Sequence, residues 1–225
     1  MILALNFKNN LVNIDDFIKN ITKTNLQLIL IPSFLQTANF VQDDRFCVGV
    51  QNFSEQDKTL TGEITVDMLK SLGVKYCLVG HSERRKNLDE NSKQIVQKIS
   101  VLLANNFTPI LCVGETSLGD DESIKKQISK QLCDSVIKSN EQKIIVAFEP
   151  HSAIGTGKVC DKKVIENITN FLKQNYNFKA VLYGGSVSET NCVELSQISS
   201  LDGFLIGKSS LDIKKVLKII KNLEK

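Results

Sequence analysis

Three residues far apart in the chain carry groups that together could move a proton at carbon: Lys8, His81 and Glu149. Each stands at the end of a short apolar run. Lys8 follows Ile2–Phe7, His81 follows Tyr76–Val79 by one glycine, and Glu149 closes Ile144–Phe148 just before Pro150. A carboxylate can act as general base, an imidazole can donate to a carbonyl oxygen, and an ammonium can stabilise developing negative charge. Loops of small residues follow two further apolar runs, Gly184 to Ser186 and Gly207 to Ser209, and a third follows Glu149. Such loops cradle phosphate through backbone N–H groups, and a helix start beyond them adds to the attraction. The combination suggests proton transfer on a small phosphorylated substrate. Each piece also has a plainer reading. Lys8 alone is a solvated lysine, His81 a polar helix cap, Glu83 a first-turn carboxylate, Glu149 a solvated strand end, and GGS an ordinary turn. The fold decides between the two.

Eight apolar runs have the length and character of buried strands: Ile2–Phe7, Leu26–Ile31, Phe46–Val50, Tyr76–Val79, Thr108–Val113, Ile144–Phe148, Ala180–Tyr183 and Gly203–Ile206. Helical spacing follows each in turn, over Asn13–Thr24, Phe34–Phe40, Ile64–Leu72, Asp89–Asn106, Glu122–Lys138, Lys162–Tyr176, Glu189–Ile198 and Leu211–Leu223. No linker interrupts this alternation across residues 1–225. The expected fold is α/β, a single-domain (β/α)8 barrel, whose strand ends all open on one face. A doubly wound open sheet is the alternative. It would normally carry a glycine-rich loop after the first strand, and no glycine precedes Gly49.

Composition narrows the function. A net charge of +3 without a block of one sign, and no Trp, give no case for nucleic acid. No run is long enough to span a membrane. The lysine-rich last helix serves equally well to close a barrel. Six cysteines lie at least 21 residues apart and there are only two histidines, so neither a metal site nor a cofactor is expected. A core-rich chain with unpaired cysteines and no leader suits a reducing cytoplasm.

Eight segments in order resemble the triosephosphate isomerase family. They are Asn6-Phe7-Lys8, Gln51-Asn52, Leu60-Thr61-Gly62-Glu63, Val79 to Arg85, Cys112 to Thr116, Ala147 to Lys158, Tyr183 to Val187 and Asp202 to Gly207. The resemblance covers essentially the whole chain. It implies a TIM barrel, in glycolysis and gluconeogenesis, that interconverts dihydroxyacetone phosphate and D-glyceraldehyde 3-phosphate through an enediolate. It implies Glu149 as base, His81 as neutral electrophile and Lys8 as stabilising cation, with Asn6 orienting the substrate and Lys8. The backbone N–H groups of Gly155, Ser186, Gly207 and Lys208 would hold phosphate. Glu83 would lie in the network beneath Lys8, and Cys112 would pack near the base. Pro150, His151, Ser152, Ala153, Ile154, Gly155, Thr156, Gly157 and Lys158 would form a closing lid. Thr61 would reach the partner's site in a homodimer.

The chain departs from the family pattern at a few places. His151-Ser152 stands where the lid usually has a hydrophobic-Trp pair. Lys208 stands where a glycine is usual. Thr169 replaces an Arg that pairs with the Asp matching Asp202, and Phe7 replaces a Trp. Two other functions stay open on residues alone: another sugar-phosphate isomerase, which would turn over a larger substrate, and a binding or adhesion protein, which would turn over none.

Overall fold

The computed structural model describes residues 1–56, 59–115, 120–133, 140–150 and 160–225. Eight strands, β1 (Ile2–Asn6), β2 (Gln27–Ile31), β3 (Cys47–Val50), β4 (Tyr76–Val79), β5 (Thr108–Val113), β6 (Ile145–Phe148), β7 (Ala180–Tyr183) and β8 (Gly203–Ile206), each pair in parallel with the next. Pairing of Ile2–Leu5 with Gly203–Ile206 joins β8 to β1 and closes the sheet. The (β/α)8 expectation is met and the open-sheet alternative is excluded.

Around the barrel run α1 (Ile14–Asn20), α2 (Phe34–Phe40), α3 (Val66–Leu72), α4 (Ser82–Asn87), α5 (Ser92–Ala104), α6 (Asp121–Cys133), α7 (Lys162–Asn175), α8 (Cys192–Ser196) and α9 (Ile213–Leu223). Local chemistry starts several of them. Asn13, Thr65, Asn91, Asp161 and Asp212 each accept an N-terminal backbone N–H. Gly73 ends α3 at φ +74°. The short helix α4 starts at His81, as the cap reading of that residue expects, though no helical span was assigned to it from the sequence. Its sequence, SERRKN, buries no residue and carries no apolar period to betray a helix.

Alternation along the strands builds two cores. Leu3, Leu5, Leu28, Leu30, Val146 and Val181 face the helices. Ala4, Ile29, Leu78, Cys112, Ala147, Leu182 and Leu205 fill the barrel. Because side chains alternate with a period of two, the next inward positions above that filling are Asn6, Gly80, Gly114, Glu149, Gly184 and Gly207. On these six of the eight strands the barrel therefore ends in a layer of two polar side chains and four glycines. That layer is the floor of the site. Among the described residues, no helix is long and apolar enough to cross a membrane.

A buried ionic cluster braces the same end. Lys98 and Glu90 are 3% and 5% exposed, and they form a short ion pair. Lys98 also donates to Asn52 Oδ1 at 2.7 Å, and Glu90 accepts the Gly80 N–H at 3.2 Å. Arg84 Nε lies 3.4 Å from Glu90. The cluster ties α5 to the chain just before His81. Removing one partner leaves a buried charge uncompensated, which costs about 3–5 kcal/mol. Lys98→Met should therefore lower the urea midpoint of unfolding far more than substitution of an exposed lysine such as Lys215. Equal midpoints would show that the cluster adds no stability.

Candidate active site

Glu149 is 3% exposed at the upper end of β6. Its N–H continues the ladder to Val113 O at 2.8 Å, and Gly184 N–H reaches Phe148 O at 2.7 Å. The backbone is thus fixed on both sides. Glycine is required beside it: a Cβ at Gly114 would lie 2.0 Å from Glu149 O, and one at Gly184 would lie 2.8 Å from Glu149 Cγ. The carboxylate accepts the Ser82 N–H at 3.1 Å and lies 3.0 Å from His81 Nε2. Cys112 packs fully buried nearby.

His81 caps α4. Its Nδ1 accepts the Glu83 N–H at 3.3 Å, so the proton of the neutral ring belongs on Nε2, pointing at Glu149. Burial opposes charge on this imidazole, but Glu149 and then Glu83 raise its pKa above the usual histidine value while Glu149 is docked on it; Lys8 works the other way. Burial likewise works against the Glu149 carboxylate. His81 and the Ser82 N–H outweigh it and hold the pKa below the usual carboxylate range. The Cys112 thiol is pushed well up by burial and by Glu149. It stays a neutral packing group and no nucleophile.

Lys8 sits at φ +51°, a left-handed conformation unusual for a side-chain-bearing residue. Two contacts hold it there. Its N–H donates to Asn6 Oδ1 at 3.0 Å, and its carbonyl accepts from Gln51 Nε2 at 2.6 Å. Its ammonium pairs with Glu83 Oε1 at 2.5 Å. Glu83 thus serves both cation and imidazole. The strained turn aims Lys8 over Gly207, whose added Cβ would stand 3.4 Å from Lys8 Cε.

Lys8, His81 and Glu149 line one cavity of about 170 Å³. Asn6, Ser186, Gly207 and Lys208 line it too, with Ser188, Asn191 and Ser209 at the far end. That far end is well braced. Asn191 accepts the Ser188 N–H at 2.8 Å and donates to Ser186 O at 3.1 Å. Ser209 Oγ donates to Val187 O at 2.8 Å, and Ser210 Oγ reaches Asn6 O at 3.2 Å. Lys208 opens a 3₁₀ turn, Lys208–Leu211, and is not among the described residues with positive φ. A lysine therefore sits there without left-handed strain.

Of the residues singled out from the sequence, Asn6, Lys8, His81, Glu149, Ser186, Gly207 and Lys208 come together, with Glu83 and Cys112 as neighbours. Thr61 is exposed and stands outside this cavity. Pro150 is buried; residues 151–159, which include Gly155 and the rest of the expected lid, lie outside the described residues. Asp202 does have a partner: Lys173 Nζ at 2.6 Å, one helical turn beyond Thr169. Thr169 itself turns to Ser200 Oγ at 2.6 Å. Sequence reading assigned no role to Gln51, though its place two residues beyond inward-facing Gly49 was a usable signal. Nor did it separate Arg85, whose guanidinium bridges Gly80 O and Cys112 O. Tyr183 was seen only as a strand end, yet its hydroxyl accepts the Cys160 N–H at 3.4 Å, just past the lid.

The chain is similar to known proteins along most of its length. The family model described as triosephosphate isomerase covers residues 1–223. A triosephosphate isomerase of Mycoplasmopsis pulmonis is 37% identical over 204 residues, which are 87% of this chain and 82% of the relative. One of Mesomycoplasma hyopneumoniae is 37% identical over 207 residues, 89% of this chain and 85% of that protein. One of Gloeobacter violaceus is 38% identical over 179 residues, or 78% and 75%.

Proposed function

The chain belongs to the triosephosphate isomerase family and interconverts dihydroxyacetone phosphate and glyceraldehyde 3-phosphate; from that premise we propose how its residues divide the work. Glu149 takes a proton from the carbon next to the substrate carbonyl. His81 Nε2–H hydrogen-bonds the oxygen that gains negative charge, and Lys8 stabilises the resulting enediolate. The enediolate's hydroxyl proton passes from one oxygen to the other across His81 Nε2, and the protonated Glu149 then returns its proton to the neighbouring carbon. One carbonyl is lost and one formed, so no oxidant is consumed. Asn6 orients substrate and Lys8. The N–H groups of Ser186, Gly207, Lys208 and Gly155 take the phosphate, and Pro150–Lys158 close over it.

The observation that carries this reading is convergence. One carboxylate, one imidazole and one ammonium from three strand ends share a small cavity with the braced loops after β7 and β8. In the resting arrangement Glu149 occupies the very N–H that the substrate oxygen needs. Substrate must therefore displace the carboxylate from His81, which places the base beside the carbon acid. Once it leaves, burial, the largest influence on the ring, and the Glu83 N–H favour the neutral imidazole, with Lys8 adding to them and the Glu83 carboxylate opposing. A coupled assay on glyceraldehyde 3-phosphate should show turnover that phosphoglycolate inhibits competitively. Turnover of larger sugar phosphates alone, or none at all, would favour one of the two other functions.

The same reading makes the protein a cytoplasmic homodimer with residues 1–225 as one domain. Leu11 and Leu88 are 65% and 62% exposed. Beside Lys8 opens a second cavity of about 420 Å³, lined by Asn9, Gln51, Glu83, Arg84, Asn87 and Leu88. A partner's Thr61 loop would fill it and shield the Lys8–Glu83 pair. Sedimentation should find a dimer whose specific activity falls on dilution. An active monomer at all concentrations would remove the proposal.

A further inference from the structure

We infer that the ammonium of Lys208 grips the substrate's phosphate, so that this site holds the phosphate by a mobile cation as well as by backbone N–H groups. The inference rests on the isomerase reading above. The two ends of the cavity differ in charge. At the chemical end stand Glu149, His81 and Lys8, and Lys8 is already compensated by Glu83 at 2.5 Å. At the other end the lining side chains, Ser186, Val187, Ser188, Asn191 and Ser209, are all neutral except Lys208. No described carboxylate forms an ion pair with Lys208. Its side chain is exposed at the rim.

A phosphate dianion seated at that end would meet rigid neutral donors and one uncompensated positive charge. The donors are rigid because Asn191, Ser209 and Ser210 tie both loops down. The lysine is free to follow its ligand. Charge-assisted bonds are stronger than neutral ones, and an exposed cation at a cavity mouth also speeds capture of an anion in a salt-dependent way. The phosphate's second ionisation lies near 6, so Lys208 would sharpen preference for the dianion.

The test compares wild type, Lys208→Ala, Lys208→Arg and a control, Lys218→Ala on the exposed side of α9. The readouts are glyceraldehyde 3-phosphate kinetics at low and high salt, and competitive inhibition by inorganic phosphate. Lys208→Ala should raise both KM and the phosphate inhibition constant about five- to twentyfold at low salt, with the loss mainly in KM. Its rate should also depend less on salt. Lys208→Arg should recover most of the loss because it keeps the charge, and Lys218→Ala should match wild type. KM, inhibition constant and salt slope all within twofold of wild type in Lys208→Ala would overturn the inference. If wild type turned over no triose phosphate, the isomerase reading would fail instead. Calorimetric titration with inorganic phosphate would then still decide whether Lys208 binds it. Circular dichroism and melting confirm that each variant folds.

Discussion

Glu149→Asp should lower kcat/KM for glyceraldehyde 3-phosphate by about a hundredfold, and Glu149→Gln by about a thousandfold or more. The aspartate keeps a carboxylate but draws it back by one methylene. A displacement near 1 Å can cost about a hundredfold when attack geometry is fixed in advance. Nothing nearby can restore the reach. The backbone at Glu149 is pinned by Val113 O, and the glycine at position 114 already lets Glu149 O approach where a Cβ would stand at 2.0 Å. The glutamine keeps the size and the hydrogen bond from Ser82 but takes up no proton. In both variants the loss should lie in kcat, because phosphate is held at the other end of the cavity. A coupled triose phosphate assay reads this directly. Unchanged turnover in Glu149→Asp would show that another group is the base.

Much of this site was legible in the chain before folding, and for a definite reason. Strands alternate strictly, so Ala147 inside the barrel puts Glu149 inside, and Ala4 inside does the same for Asn6. The eight apolar runs made the barrel countable, and the strand ends named its working face. What was not legible depends on long-range partners or on unusual backbone. The left-handed turn at Lys8 is held by Gln51, 43 residues on, and nothing in the local sequence announces it. The segment α4 lacks an apolar face because its side chains serve polar partners, Glu83 on Lys8, Arg84 on Glu90 and Arg85 on the Gly80 and Cys112 carbonyls. Lys98 reads as a surface lysine on α5, yet it is buried against Glu90 from an adjoining loop. The partner of Asp202 stayed open on sequence because the cation stands one helical turn on, at Lys173, while Thr169 makes a neutral contact.

His81→Gln should lower kcat by about a hundredfold to a thousandfold, the usual range for one donor aimed at developing charge. Glutamine offers an N–H but cannot accept the Glu83 N–H through a ring nitrogen while donating from the opposite side of the same ring. Both orientation and donor strength are lost, and the Glu83 N–H is left without its acceptor. The charge state of the native ring can be tested separately. The docked Glu149 carboxylate is what raises the His81 pKa against burial. Removing that charge in Glu149→Gln must lower it, so the imidazolium should form only at lower pH than in wild type. With two histidines in the chain, the imidazole resonances are few enough to follow by NMR. An unchanged or raised titration point in Glu149→Gln would mean that the 3.0 Å contact does not govern the ring. A lowered one would show that the docked carboxylate is what favours the charged ring, so that its departure from His81 favours the neutral form that enediolate chemistry requires.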